Sequence, residues 1–206
     1  MLFPLKYILF SYLCLDVVNA GIFSWLYQLT SDDKSFAITA MNNKRNNHKR
    51  TPPLQWSKNI ANDVAERLVY WDCHSTAEVP SSKYGYNVYY GHGGLREAIN
   101  QWYDGVEHFD FKHPEFSKLN RNFVQLVSRH ILQMGCGKRV CGSTNVYLCG
   151  FDKPNTYKAF LDDSIEPLRA DISTAILTNM QYSTETQIVS QVSTNYQTYL
   201  TTNMNT

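Results

Sequence analysis

The chain has 206 residues, 43% of them hydrophobic and 18% charged, enough for one α/β domain with a sizeable core and an appended segment. A formal net charge of +1 gives no global attraction to nucleic acid or to an anionic membrane. After the first twenty residues there is no run of about eighteen apolar residues, so no transmembrane segment is expected.

Taken in chain order, Lys6, the apolar stretch Tyr7 to Leu15 and the small-residue end Val17-Val18-Asn19-Ala20 read as a secretory signal over residues 1–20, cleaved after Ala20. The mature protein is therefore expected to be secreted and extracellular. Of the five cysteines, Cys14 leaves with the signal. Cys73, Cys136, Cys141 and Cys149 remain, an even number that predicts two disulfides, with three connectivities open. Without paired C-x-x-C spacing, a thiolate zinc site is not expected.

Ser31-Asp32-Asp33 supplies capping oxygens and early negative charge for a helix that carries Phe36, Ala37, Ala40 and Met41 on one side and ends near His48. The basic run Lys44, Arg45, His48, Lys49 and Arg50 reads as its solvated end. Pro52-Pro53 breaks the chain. Ser57 then caps a second helix with Ile60, Ala61, Val64, Ala65, Leu68 and Trp71 at three- and four-residue steps. Tyr84 to Tyr90 reads as a short strand before Gly91-His92-Gly93-Gly94. Leu95, Ala98, Ile99, Trp102, Tyr103 and Val106 fit the helical template closely. A loop with three aromatics leads to a helical patch holding Phe123, Leu126, Val127 and His130. Two strands, Ile131 to Lys138 and Val146 to Phe151, then turn through Gly142-Ser143-Thr144-Asn145.

This order of elements predicts an α/β fold of three layers, with a mostly antiparallel sheet between helices. From about Ser164 the composition turns to Ser, Thr, Asn and Gln. A helix is expected over Ile165 to Leu177, and residues 182–206 show no core periodicity. The expected organisation is a signal at 1–20, a domain at 21–160 and a polar extension at 161–206. No N-x-S/T acceptor is present, so N-glycosylation is not expected.

Seven blocks in order resemble the CAP superfamily, the cysteine-rich secretory, antigen-5 and pathogenesis-related proteins. They are Asn42-x-x-Arg45; Pro53-Leu54-x-Trp56-Ser57 with Ile60-Ala61; Cys73-His74-Ser75; Gly85-x-Asn87-x-Tyr89; Trp102-Tyr103-Asp104; Asn122-Phe123-Val124-Gln125-Leu126-Val127; and Gly135-Cys136-Gly137 through Cys149-x-x-Asp152-x-Pro154. The resemblance covers roughly Phe36 to Asn155 and implies an α-β-α sandwich with Cys73 paired to Cys141 and Cys136 to Cys149. Phe109-Asp110-Phe111-x-x-Pro114-x-Phe116-Ser117 looks most like fungal sterol-exporting members, while the polar style is also similar to helminth venom allergen-like ones.

Family members commonly hold a divalent cation with two histidines and two glutamates. Carried over position by position, this set is represented by His74, Tyr86, Gly105 and Asn122, a degenerate cleft in which one imidazole survives. Tyr and Asn are poor zinc ligands, so no metal and no cofactor is expected. Asp104 and Glu107 flank Gly105 but point about 100° and 200° away from it on an α-helix. No Ser-His-Asp or Cys-His grouping can be assembled, and Ser75 beside His74 is adjacent in sequence only, so no catalytic residue and no enzyme activity is expected.

A binding function remains. Phe109, Phe111 and Phe116 have the aromatic spacing of a caveolin-binding-type motif, and in sterol-binding relatives the corresponding loop contributes to lipid binding. Flat rings suit a flat sterol, although Phe111 and Phe116 can instead close the core beneath the loop. The resemblance also implies that a fatty acid can lie between two long helices, for which the sequence carries no marker. The expected function is thus a secreted protein that binds sterol or fatty acid for transport or sequestration. The alternative is an allergen-like interaction module acting on host or cell-surface proteins without a small ligand.

Overall fold

The computed structural model describes residues 24–74, 79, 83–154, 165–170, 187 and 191. The expected signal, the stretch 75–78 after His74 and nearly all of the polar extension lie outside the described residues.

A 3-10 turn at Ser24–Tyr27 precedes helix α1, Ser31–Asn46, whose cap is Thr30: its Oγ1 accepts from Asp33 N–H at 3.1 Å. The buried face of α1 is Ala37, Met41 and Arg45, a strict four-residue stripe. Strand β1, Gln55–Trp56, is two residues long and leaves no periodicity for sequence reading to detect. Helix α2, Lys58–Val69, buries Ile60, Ala61, Val64, Ala65 and Leu68 as the spacing predicts. Its last carbonyls, of Leu68 and Val69, accept from the Arg139 guanidinium. A cation there also complements the negative end of the helix.

Strand β2, Gly85–Gly91, is followed by helix α3, Leu95–Tyr103, and a 3-10 turn at Asp104–His108. The α-helical periodicity expected to run to Val106 therefore tightens three residues early. Helix α4, Arg121–Val127, and the hairpin of β3, Gln133–Cys141, with β4, Thr144–Phe151, complete the domain.

The sheet order is β1-β3-β4-β2, with β1 parallel to β3 and both other pairings antiparallel, so the sheet is mostly antiparallel with a mixed edge. Alternation along the central strand β4 builds two cores. Val146 and Leu148 face α2 with Ile60, Val64 and Leu68. Tyr147, Cys149 and Phe151 face the other way, into a larger core with Trp102, Phe123 and Met134 from the second helical layer and the sheet. The expected α-β-α sandwich is thus the fold found. A Cβ on Gly135 would fall on the backbone of Ala61, so this glycine lets α2 lie directly on the sheet.

Both disulfides pair as the resemblance implies, Cys73 with Cys141 and Cys136 with Cys149. The second joins directly opposed residues of β3 and β4 across a sequence separation of 13. Closing a loop of that length restricts the unfolded chain by about 3 kcal/mol.

Past the hairpin, residues 165–167 run without helix, whereas a helix was expected from Ile165; most of the remainder of that predicted helix lies outside the described residues. Ile165 packs into the larger core and Glu166 is buried.

Candidate functional site

The segment expected to bind lipid is a loop held from beneath. Phe109 is only 6% exposed and meets Phe111 at 5.0 Å and Phe123 at 5.5 Å between ring centroids. Phe111 is half-buried against the same cluster, 6.4 Å from Phe123 and 6.1 Å from His48. Phe116, at 44% exposure, stands outside it, accompanied by Leu119 at 68%. The three phenylalanines therefore do not share one surface: two anchor the loop and one is presented by it.

Asn120, which the sequence reading passed over, fixes the loop's backbone. Its Nδ2 donates to the carbonyls of His108 at 3.1 Å and Glu115 at 2.8 Å, and its Oδ1 accepts from Ser117 N–H at 2.9 Å. Its place immediately before α4, where an asparagine ordinarily caps the helix, was the available signal. Beside the loop opens a polar recess of about 330 Å³, lined by His108, Asp110, His113, Glu115, Ser117 and Asn120. Hydrogen bonds from Lys112 N–H and His113 hold the exposed Asp110 carboxyl below its usual range.

Behind the aromatic cluster the structure corrects the expected solvated helix end. Arg45 and His48 are both fully buried. Arg45 donates to four main-chain carbonyls: Pro52 from Nε at 2.9 Å and Nη2 at 2.6 Å, Leu126 and Ser128 from Nη1 at 2.7 and 3.0 Å, and Ile131 from Nη2 at 2.9 Å. Burial lowers its pKa to about 10, opposed by the Asp152 charge, so it remains a cation at neutral pH. His48 lies between the Glu166 carbonyl, 2.8 Å from Nδ1, and the Tyr103 hydroxyl, 3.1 Å from Nε2. The carbonyl only accepts, which places the proton on Nδ1 and leaves Nε2 to accept from Tyr103. Burial lowers the His48 pKa to about 4 and raises that of Tyr103. The Glu166 carboxylate accepts from Arg50 at 3.0 Å and Arg129 at 2.8 Å.

The four positions corresponding to a family cation set are not gathered into one cleft. His74 is exposed next to Cys73, whose carbonyl accepts from Tyr90 near the far end of β2. Tyr86 lies four residues back along that strand, roughly 13 Å at the usual rise. Its hydroxyl donates to Asp63 at 2.6 Å, and the Arg67 guanidinium lies 4.4 Å from its ring centroid, on the α2 face. On the opposite face, the Asn122 carbonyl accepts from Asn87 at 2.8 Å. Gly105 is buried, while Asp104 and Glu107 are exposed on either side and do not take its place.

A Cβ on Gly105 would sit 2.8 Å from the Phe123 Cβ and 2.9 Å from the Leu119 carbonyl, so no larger side chain fits here without a shift of these neighbours. These residues do not fit a divalent cation, and no group of three or more His, Cys, Asp or Glu among the described residues is arranged to hold one. Gly105→Ala is accordingly expected to cost about 1–3 kcal/mol, measured by urea unfolding. A variant as stable as the parent would show that the 3-10 turn is not packed on α4.

A second concavity, about 360 Å³, lies between α1 and α3, where a fatty-acid groove is implied. Its floor includes Phe36, Ala40 and Ile99, but Thr39, Asn43, Lys44, Asn47, Arg96 and Asn100 also line it.

With these features in place, the chain belongs to the CAP group, the cysteine-rich secretory protein family, whose profile matches residues 38–151. Its curated relatives include Protein PRY2 of Saccharomyces cerevisiae, 26% identical over 139 residues, covering 66% of this chain and 42% of that protein. Repressed by EFG1 protein 1 of Candida albicans is 26% identical over 143 residues, covering 61% and 53%. The chain thus spans about half the length of these relatives.

Among solved structures, Schistosoma mansoni venom allergen-like protein 4 superposes with a TM-score of 0.53 at 15% identity, over 70% of this chain and 99% of that one. The hookworm platelet inhibitor does so with 0.52 at 16% identity, over 63% and 73%. At such identities the likeness establishes the fold. Fungal and helminth proteins are the two groups that the sequence blocks resemble.

Proposed function

We propose that this chain is a secreted, non-catalytic CAP protein that binds a sterol through the 109–120 loop, for transport or sequestration. The observation that carries the reading is that Phe116 and Leu119 are both exposed on a loop whose backbone Asn120 and the buried Phe109 hold in place. Such a loop presents apolar area that loses little freedom on binding. The adjoining polar recess supplies donors and acceptors for a sterol hydroxyl. Two disulfides and the absence, among the described residues, of a helix long and apolar enough to cross a membrane are consistent with secretion.

The test is radiolabelled cholesterol binding alongside thermal melting. Phe116→Ala is expected to weaken binding about 5- to 20-fold with an unchanged melting midpoint. Phe109→Ala is expected to melt lower because its ring is core. Wild-type protein that takes up no sterol sinks the reading and leaves the protein-interaction alternative, in which the same exposed pair would contact a host or cell-surface protein.

A further inference from the structure

The groove between α1 and α3 carries chemistry that sterol binding leaves unused. Lys44 Nζ stands 4.7 Å from the Tyr103 ring centroid, and the Arg96 guanidinium 4.8 Å from that of Phe36. No carboxylate lines the groove, and neither cation pairs with one among the described residues. A cation resting on an aromatic face is held in position while its N–H donors stay available.

The neutral residues extend the pattern. Thr39 and Asn43 lie four apart on α1, and Asn100 lies four beyond Arg96 on α3, so each helix turns a polar stripe towards the groove. The side chains of Thr39, Asn43 and Asn100 make no hydrogen bond within the described residues. A carboxamide offers donor and acceptor in one plane, which matches two adjacent hydroxyls. Phe36, on which the Arg96 guanidinium rests, half-buried Ala40 and the buried Ile99 supply the apolar part of the lining. An acyl chain needs the reverse, since it would desolvate these amides without replacing their hydrogen bonds.

We propose that this groove binds an acidic saccharide, with its anionic groups on Lys44 towards one end and on Arg96 towards the other and its hydroxyls on Asn43, Asn100 and Thr39. The volume of about 360 Å³ is at the small end for ligand sites and admits roughly one or two sugar rings. The site is on different elements from the 109–120 loop and does not depend on the sterol reading.

Calorimetry on the secreted protein tests it with four probes: digalacturonate, a heparin-derived disaccharide, neutral maltose and palmitate. At least one acidic disaccharide is expected to bind one-to-one, at least about tenfold more tightly than maltose, and to weaken as salt rises from about 50 to about 300 mM. Lys44→Gln, Arg96→Gln and Asn100→Leu should each reduce its affinity about fivefold or more, whereas Lys118→Gln on the distant loop should not. Asn43→Asp, which adds repulsion while keeping the side chain's size, should weaken the acidic ligand; equal melting midpoints confirm that the variants fold. No saccharide binding, equal binding of maltose, or an equal loss in Lys118→Gln overturns the proposal. So does uptake of palmitate that Arg96→Gln abolishes, which would make the groove an acyl site.

Discussion

Replacing Arg45 with methionine is expected to cost about 4–6 kcal/mol, enough to abolish cooperative folding in a domain of ordinary stability. The side chain lies at the end of the Ala37, Met41, Arg45 stripe and donates to carbonyls that are 7, 81, 83 and 86 residues away in sequence. Methionine fills much of the volume but supplies no donor, so the carbonyls of Pro52, Leu126, Ser128 and Ile131 all lose their guanidinium partner inside the protein. Lysine would keep the charge, yet a single ammonium cannot span sites that a planar fork reaches in three directions, so Arg45→Lys should fall between the two. Urea unfolding of secreted protein measures this, with exposed Lys118→Met as the control. An Arg45→Met variant whose midpoint matches that of the control would show that the guanidinium bonds are not holding the α1, loop and α4 junction together.

Acid should destabilise the fold through His48 by about 3 kcal/mol. In the folded state the pKa is about 4, because burial disfavours the imidazolium, against an ordinary value of 6.5. Between these two values the unfolded chain binds a proton that the folded chain does not, so stability falls as pH drops from about 6.5 to about 4 and is complete above that window. A gap of about 2.5 units converts at 1.36 kcal/mol each. The charges around the ring do not relieve the penalty: Arg45 opposes a second cation, and the Glu166 carboxylate is taken up by Arg50 and Arg129. Glutamine at 48 can still donate and accept but does not titrate. The expected result is a urea midpoint that falls more steeply from pH 7 to 4 in the parent than in His48→Gln. Parallel pH profiles would assign the acid sensitivity to other groups.

The layers of the fold were legible because their signals are periodic. The α2 and α3 stripes repeat often enough to be read, and the strands are marked by the turn residues that bound them. Arg45 and His48 were misread because charge suggests solvent, while the four-residue step from Met41 that places Arg45 inside is the same periodicity used elsewhere. Their carbonyl partners are distant in sequence and leave no local mark. The aromatic loop was found by ring spacing, but spacing does not tell a ring that points inward from one that points out. Phe109 and Phe116 differ only in what lies beneath them. The polar walls of the α1–α3 groove come from two helices more than fifty residues apart at their starts, a juxtaposition that only packing creates.

Gly105 couples this corner of the fold to the turn that faces it. A side chain at 105 would meet the Phe123 Cβ and the Leu119 carbonyl, so a glutamate there would have to displace main chain before its carboxylate reached any other group. A larger residue at 105 is therefore tolerated only together with a second change that opens the turn at 119–120, which makes the two segments vary as one unit rather than as independent positions.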